Sequence, residues 1–99
     1  MKTQEVAVLI DRAESRFELE IEGKLSFISY IPKDDRTLIF IHTEVHPNLE
    51  GKDVGAQLIK GAFDYVDNYN LKVIPACSFV ATYLRRHPEY NRLVSPAYL

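Results

Sequence analysis

The sequence predicts an α+β fold, a mixed and mostly antiparallel sheet flanked by helices, on three observations. Residues 16–31 hold two strand-like runs joined at Gly23-Lys24, the signature of an antiparallel hairpin. Thr37 to Val45 is apolar on both alternating faces, as a central strand covered on two sides would be. Between it and the apolar run Leu71–Ile74 lies a long amphipathic helical segment, which makes those two strands the ends of a crossover unit.

In chain order, EVAVLI at 5–10 reads as an edge strand or a strand lead-in. Phe17, Leu19 and Ile21 then alternate with Glu18, Glu20 and Glu22, the period of a strand with one wet face. After the Gly23-Lys24 turn, Leu25 to Ile31 returns as the second arm of the hairpin, and Pro32 to Arg36 is a polar connection. In the strand Thr37–Val45, Ile39, Ile41 and Val45 share one face. Leu38, Phe40, His42 and Glu44 share the other, so two polar groups emerge from a buried row. His46 to Gly51 is a loop. A helix is expected over 52–69, with Val54, Leu58, Ile59, Ala62, Phe63 and Val66 on its sheet-facing side. Asn68 to Asn70 close it, and Pro75 stops the following strand because proline has no N–H to give to a ladder. A second helix is expected over 78–87, with Phe79, Val80, Tyr83 and Leu84 inward, ended by Pro88. The tail to Leu99 has no clear period, and nothing in the chain marks a second domain, so 1–99 is read as one.

Composition narrows the function classes. The chain has 99 residues, 46% of them apolar and 11% aromatic, enough for one core. Twelve Lys and Arg against fourteen Asp and Glu give a net charge of −2, which leaves no electrostatic footprint for nucleic acid or an anionic membrane. No run of about 18 apolar residues is present, and the N-terminus turns polar too early for a signal peptide. A single cysteine suits a reducing compartment. The expected location is cytoplasmic.

Three blocks carry a family resemblance when taken together and in order: HTEV at 42–45, the glycines of EGKDVGAQL at 50–58, and PACSFVATYLRRHPEY at 75–90. They resemble the minimal GNAT-type N-acetyltransferases, sometimes called YjdJ-type. The likeness covers about the last three fifths of the chain well and the first two strands only by pattern. It implies a GNAT fold, acetyl-coenzyme A (acetyl-CoA) as donor and an amine as acceptor.

The resemblance also implies a donor site on Val45, Glu50, Gly51, Lys52, Asp53, Val54, Gly55, Ala56, Cys77 and Tyr83, with pyrophosphate on the 50–56 loop, where a helix N-terminus offers free N–H groups. Glu50 stands where the family commonly has a basic residue and Asp53 where it commonly has a glycine. Asp53 suits a helix cap, yet its carboxylate opposes phosphate unless the backbone N–H groups and Lys52 outweigh it. Cys77 follows a strand-ending proline and precedes a helix, a setting that favours thiolate. The bland alternative is an inert buried cysteine. Many family members carry asparagine there and a tyrosine seven residues on, whereas here that position is Leu84 and Tyr83 comes one residue early, about 100° around the helix. The resemblance to the YjdJ-type group implies that the cysteine itself carries the chemistry, Cys77 as transient acetyl acceptor or proton donor, and Glu44 or His42 is the candidate base for the amine. A structural histidine beside a loop glutamate is the plain alternative. A helix cap suffices to explain His87. His42, His46, Cys77 and His87 lack paired metal-ligand spacing, so no metal is expected. Tyr65, Tyr69, Tyr83 and Tyr90 read as core and rim.

The acceptor is then a small-molecule or protein amine, reached by a monomer or in a pocket completed by a second copy. The rival reading is an acyl-CoA-sensing or protein-interaction module of the same fold, motivated by Glu50, Asp53 and the displaced Tyr83.

Overall fold

The structure is a computed structural model that describes residues 7–96 and Tyr98. Five strands, β1 (Leu9–Asp11), β2 (Arg16–Ile21), β3 (Lys24–Asp34), β4 (Thr37–Glu44) and β5 (Lys72–Pro75), form one sheet in sequence order. The first four pair antiparallel and β4 pairs parallel with β5. Helix α1 (Val54–Asn68) makes the crossover and α2 (Ser78–Arg86) follows β5. Of the expected lead-in strand, residues 5 and 6 lie outside the described residues and Leu9–Asp11 is the edge strand. No described helix is long and apolar enough to cross a membrane.

The hairpin closes one residue earlier than expected. Ile21 pairs with Lys24, and Glu22 and Gly23 take φ values of 55° and 75°, the paired left-handed conformation of a type I′ turn. The supposed polar connection is mostly strand. Lys33 is an extra residue on β3, between the pairs Pro32↔Leu38 and Asp34↔Thr37. Asp34 accepts a hydrogen bond from the Arg36 backbone N–H at 2.8 Å, which tightens the turn and holds the Asp34 carboxyl below the usual carboxylate range.

The register of β4 changes what its residues face. Tyr30 pairs with Phe40 but Ser29 pairs with His42, so Ile41 is an extra residue, a β-bulge. Beyond it Thr43 stands opposite the fully buried Ile28 and takes over the inner face, while His42 and Glu44 stand opposite Ser29 and Phe27 on the outer one. The expectation that His42 and Glu44 continue the row of Leu38 and Phe40 is corrected. A period of two holds only until a residue is inserted.

The core lies on the inner face. Phe17, Leu19 and Ile21 of β2, Ile28 and Tyr30 of β3, and Phe40 of β4 meet Leu58, Ile59, Ala62, Phe63 and Val66 of α1, the helix face read from the sequence. Phe40 and Phe63 stack at 6.1 Å, an arrangement worth about 0.5–1.5 kcal/mol beyond area burial. The outer face of the hairpin is left half-open rather than covered by a helix, with Leu25, Phe27 and Ser29 only partly buried. The Arg16 guanidinium covers the Phe27 ring there, 4.9 Å from its centroid.

Helix α1 begins at Val54, two residues later than expected, because Asp53 sits at φ 64° in the left-handed region and makes no side-chain cap bond. A capping residue needs an extended backbone to aim its oxygen at the first turn. In α2, Val80 and Leu84 are buried while Phe79 is 44% exposed, not inward. The tail has structure that the sequence hid: a 3-10 helix over Pro88–Leu93, a parallel bridge between Val73 and Val94, and a two-pronged pairing of Arg92 with Asp67 at 2.9 Å.

Candidate active site

Strands β4 and β5 part after the pair Phe40↔Pro75. Two features of the sequence end the ladder there: Pro75 has no N–H, and β4 bulges at the next residue, Ile41. A cleft of about 900 Å³ opens between the end of β4, the loop before α1 and one side of α2.

The loop is folded by short-range contacts. His46 donates its backbone N–H to the buried Ser26 hydroxyl at 3.0 Å and accepts from Asn48 N–H on Nδ1 at 3.1 Å, starting the 3-10 turn Pro47–Leu49. Leu49 is buried and pins the turn to the core. Gly51 at φ 80° and Asp53 at φ 64° then swing the chain into α1. By helix geometry the N–H groups of Val54, Gly55 and Ala56 have no partner within α1, and all three residues line the cleft. Gly55 is required by close approach, since a Cβ there would lie 2.4 Å from Cζ of Phe79 and 3.3 Å from Val45. The two helices meet at their first turns because this position carries no side chain.

At the parting of the strands, Cys77 is the residue before α2, its backbone extended. Its Sγ lies 3.4 Å from Thr43 Oγ1. Burial pushes the thiol pKa up, but the Thr43 hydroxyl and the backbone N–H groups of Val80, Phe79 and Thr43 favour the thiolate and prevail, so the pKa lies below that of an ordinary thiol. Tyr83 lies on the cleft wall, stacked on His87 with centroids 4.1 Å apart. Burial, with the neighbouring Tyr90 and the charges of Glu89 and Asp53, pushes its phenol up to about 12. It is a neutral proton holder at any physiological pH.

Of the residues expected for the donor, Val45, Glu50, Gly51, Asp53, Val54, Gly55, Ala56 and Tyr83 line the cleft. Cys77 adjoins it through Thr43 and Ser78, and Lys52 is not on the wall. Glu44 reaches the rim from the outer face of β4, whereas His42 stands off the wall, 3.5 Å from Glu44. Both are solvent-exposed, at 59% and 61%, rather than buried in a row. The wall also holds residues with no role in the expected site: Thr43, hidden by the bulge, Thr82 and Arg86, and with them His87, expected only as a helix cap. Thr82 and Arg86 lie at helical spacing from Phe79 and Tyr83, so that face of α2 was legible in principle. Among the described residues, no three His, Cys, Asp or Glu side chains converge as a metal set would.

A mixed sheet whose one parallel pair of strands, β4 and β5, parts beside a helix N-terminus, with a cleft at the opening, is the arrangement of the acyl-CoA N-acyltransferase class. A family profile described as GCN5-related N-acetyl-transferase matches residues 16–93. The chain belongs to that family, whose members take acetyl groups from acetyl-CoA. The fold is also similar to the solution NMR structure of a GCN5-like protein from Staphylococcus aureus, at a TM-score of 0.69 and 27% identity over 96% of this chain and 91% of that one. No curated protein matches the sequence.

Proposed function

We propose that this protein, a single domain of the minimal YjdJ-type, transfers an acetyl group from acetyl-CoA to an amine through Cys77. The observation that carries the reading is the Cys77 sulfur at 3.4 Å from Thr43 Oγ1, at the point where β4 and β5 separate, with its pKa lowered. In this reading the pyrophosphate lies on the N–H groups of Val54, Gly55 and Ala56, and the pantetheine arm runs between the strands. The Cys77 thiolate attacks the thioester carbonyl, a bond forms between its sulfur and the acetyl carbon, and the CoA thiolate leaves. The departing thiolate takes a proton from Tyr83 of the same wall, and the phenol regains it from solvent. A neutral amine then attacks the acetyl-cysteine, Cys77 leaves as thiolate, and Glu44 takes the proton that the nitrogen sheds. His42 supports Glu44 from the same outer face. Donor and acceptor thus approach from opposite faces of the sheet, and the open outer face suits an amine exposed on another protein. The lone thiol suits a reducing, cytoplasmic setting.

Glu50 and Asp53, carboxylates on the cleft wall, favour the second reading, a module that binds acyl-CoA without turning it over. Single-turnover assays separate the two. With acetyl-CoA and a panel of polyamine and lysine-peptide amines, the first reading predicts free CoA and acetylated amine, both lost in Cys77→Ala. Binding without acetylated product, across the panel, would favour the sensor.

A further inference from the structure

The donor cleft has a charge problem. Coenzyme A is a polyanion, yet Glu44, Glu50 and Asp53 all line the cleft. His87, also on the wall, has its Nδ1 3.7 Å from a Glu89 carboxylate oxygen. Arg86 is the one permanent cation among the described lining residues. It is exposed and, among the described residues, forms no ion pair, while the adjacent Arg85 is turned to the Thr82 hydroxyl at 3.0 Å.

We infer that Arg86 is the phosphate-binding residue of this protein, supplying from the end of α2 the positive charge that the loop before α1 does not bring to the cleft wall. Its placement fits the length of the ligand. Cys77 precedes the first residue of α2 and Arg86 is its last, so about 12 Å of helix separates the two ends. A donor whose thioester reaches Cys77 can therefore lay its phosphates along the cleft toward Arg86. A guanidinium offers two parallel N–H donors to a phosphate, which a lone backbone N–H cannot. The inference rests on the acetyl-CoA reading above.

The test is isothermal titration of wild type, Arg86→Ala and Arg85→Ala with coenzyme A, dephospho-coenzyme A and S-acetylpantetheine, with circular dichroism to confirm folding. Arg86→Ala is expected to weaken coenzyme A binding by about 10- to 100-fold, the worth of one charge-assisted pair. S-acetylpantetheine, which has no phosphate, is expected to bind wild type and variant alike, and Arg85→Ala to behave as wild type. If the penalty vanishes with dephospho-coenzyme A, the contact is to the 3′-phosphate; if it persists, the contact is to the pyrophosphate. Unchanged affinity of Arg86→Ala for coenzyme A, or an equal loss for S-acetylpantetheine, would overturn the inference while leaving the cleft assignment standing. Wild type that binds no coenzyme A would overturn both.

Discussion

The Cys77 sulfur and the Thr43 hydroxyl oxygen are 3.4 Å apart across 34 positions of sequence. This contact joins the residue that opens α2 to a strand that only a bulge turns inward. Thr43→Val keeps the shape and removes the hydroxyl, so the thiolate loses a donor and its pKa rises. The pH profile of iodoacetamide alkylation should therefore move to higher pH in Thr43→Val, with slower reaction at neutral pH. An unchanged profile would mean that the backbone N–H groups alone set the thiol.

Deleting Ile41 tests the bulge. Pairs such as Ser29↔His42 and Ile28↔Thr43 survive the deletion, because Ile41 is the unpaired extra residue. The strand loses its bend, however, and β4 can follow β5 further. The deletion is expected to leave circular dichroism close to wild type and to abolish coenzyme A binding in calorimetry.

Gly55→Ala sets two effects against each other. Alanine in a helix is better than glycine by roughly 0.5–1 kcal/mol, while the new Cβ would meet the Phe79 ring at 2.4 Å. That ring is partly exposed and can swing away, so the melting temperature should change little. The displaced ring then narrows the cleft that Phe79 lines, and coenzyme A affinity should drop about tenfold, ~1.4 kcal/mol. Adding Phe79→Ala should restore it.

Tyr83 gives a pH prediction with a definite sign. Its phenol is raised to about 12, so the neutral form is the one the fold favours, and activity should show no loss from Tyr83 ionisation below roughly pH 11. In an ultraviolet phenolate titration, Tyr83→Phe should differ from wild type only at the alkaline end. A difference between the two near pH 10 would contradict the burial that raises it.

The sheet-facing side of α1 and the order of strands along the chain were legible in the sequence because period is a strong signal where apolar residues repeat without interruption, as from Val54 to Val66. The site was only half legible. The bulge at Ile41 has no marker in sequence, since neither glycine nor proline is present, and one inserted residue exchanged Thr43 for His42 and Glu44 on the inner face. Asp53 looked like a cap because its side chain suits one, but its backbone is left-handed and its side chain makes no cap bond. Arg86 was overlooked for another reason: an outward-facing arginine looks like surface until the opposite wall is known to be acidic.

Intact mass spectrometry after brief incubation with acetyl-CoA decides whether Cys77 takes the acetyl group. Wild type is expected to gain one acetyl group, Cys77→Ala none, and Thr43→Val to gain it more slowly at neutral pH. An unmodified protein that still binds acetyl-CoA, or an adduct that persists in Cys77→Ala, would contradict that role of Cys77.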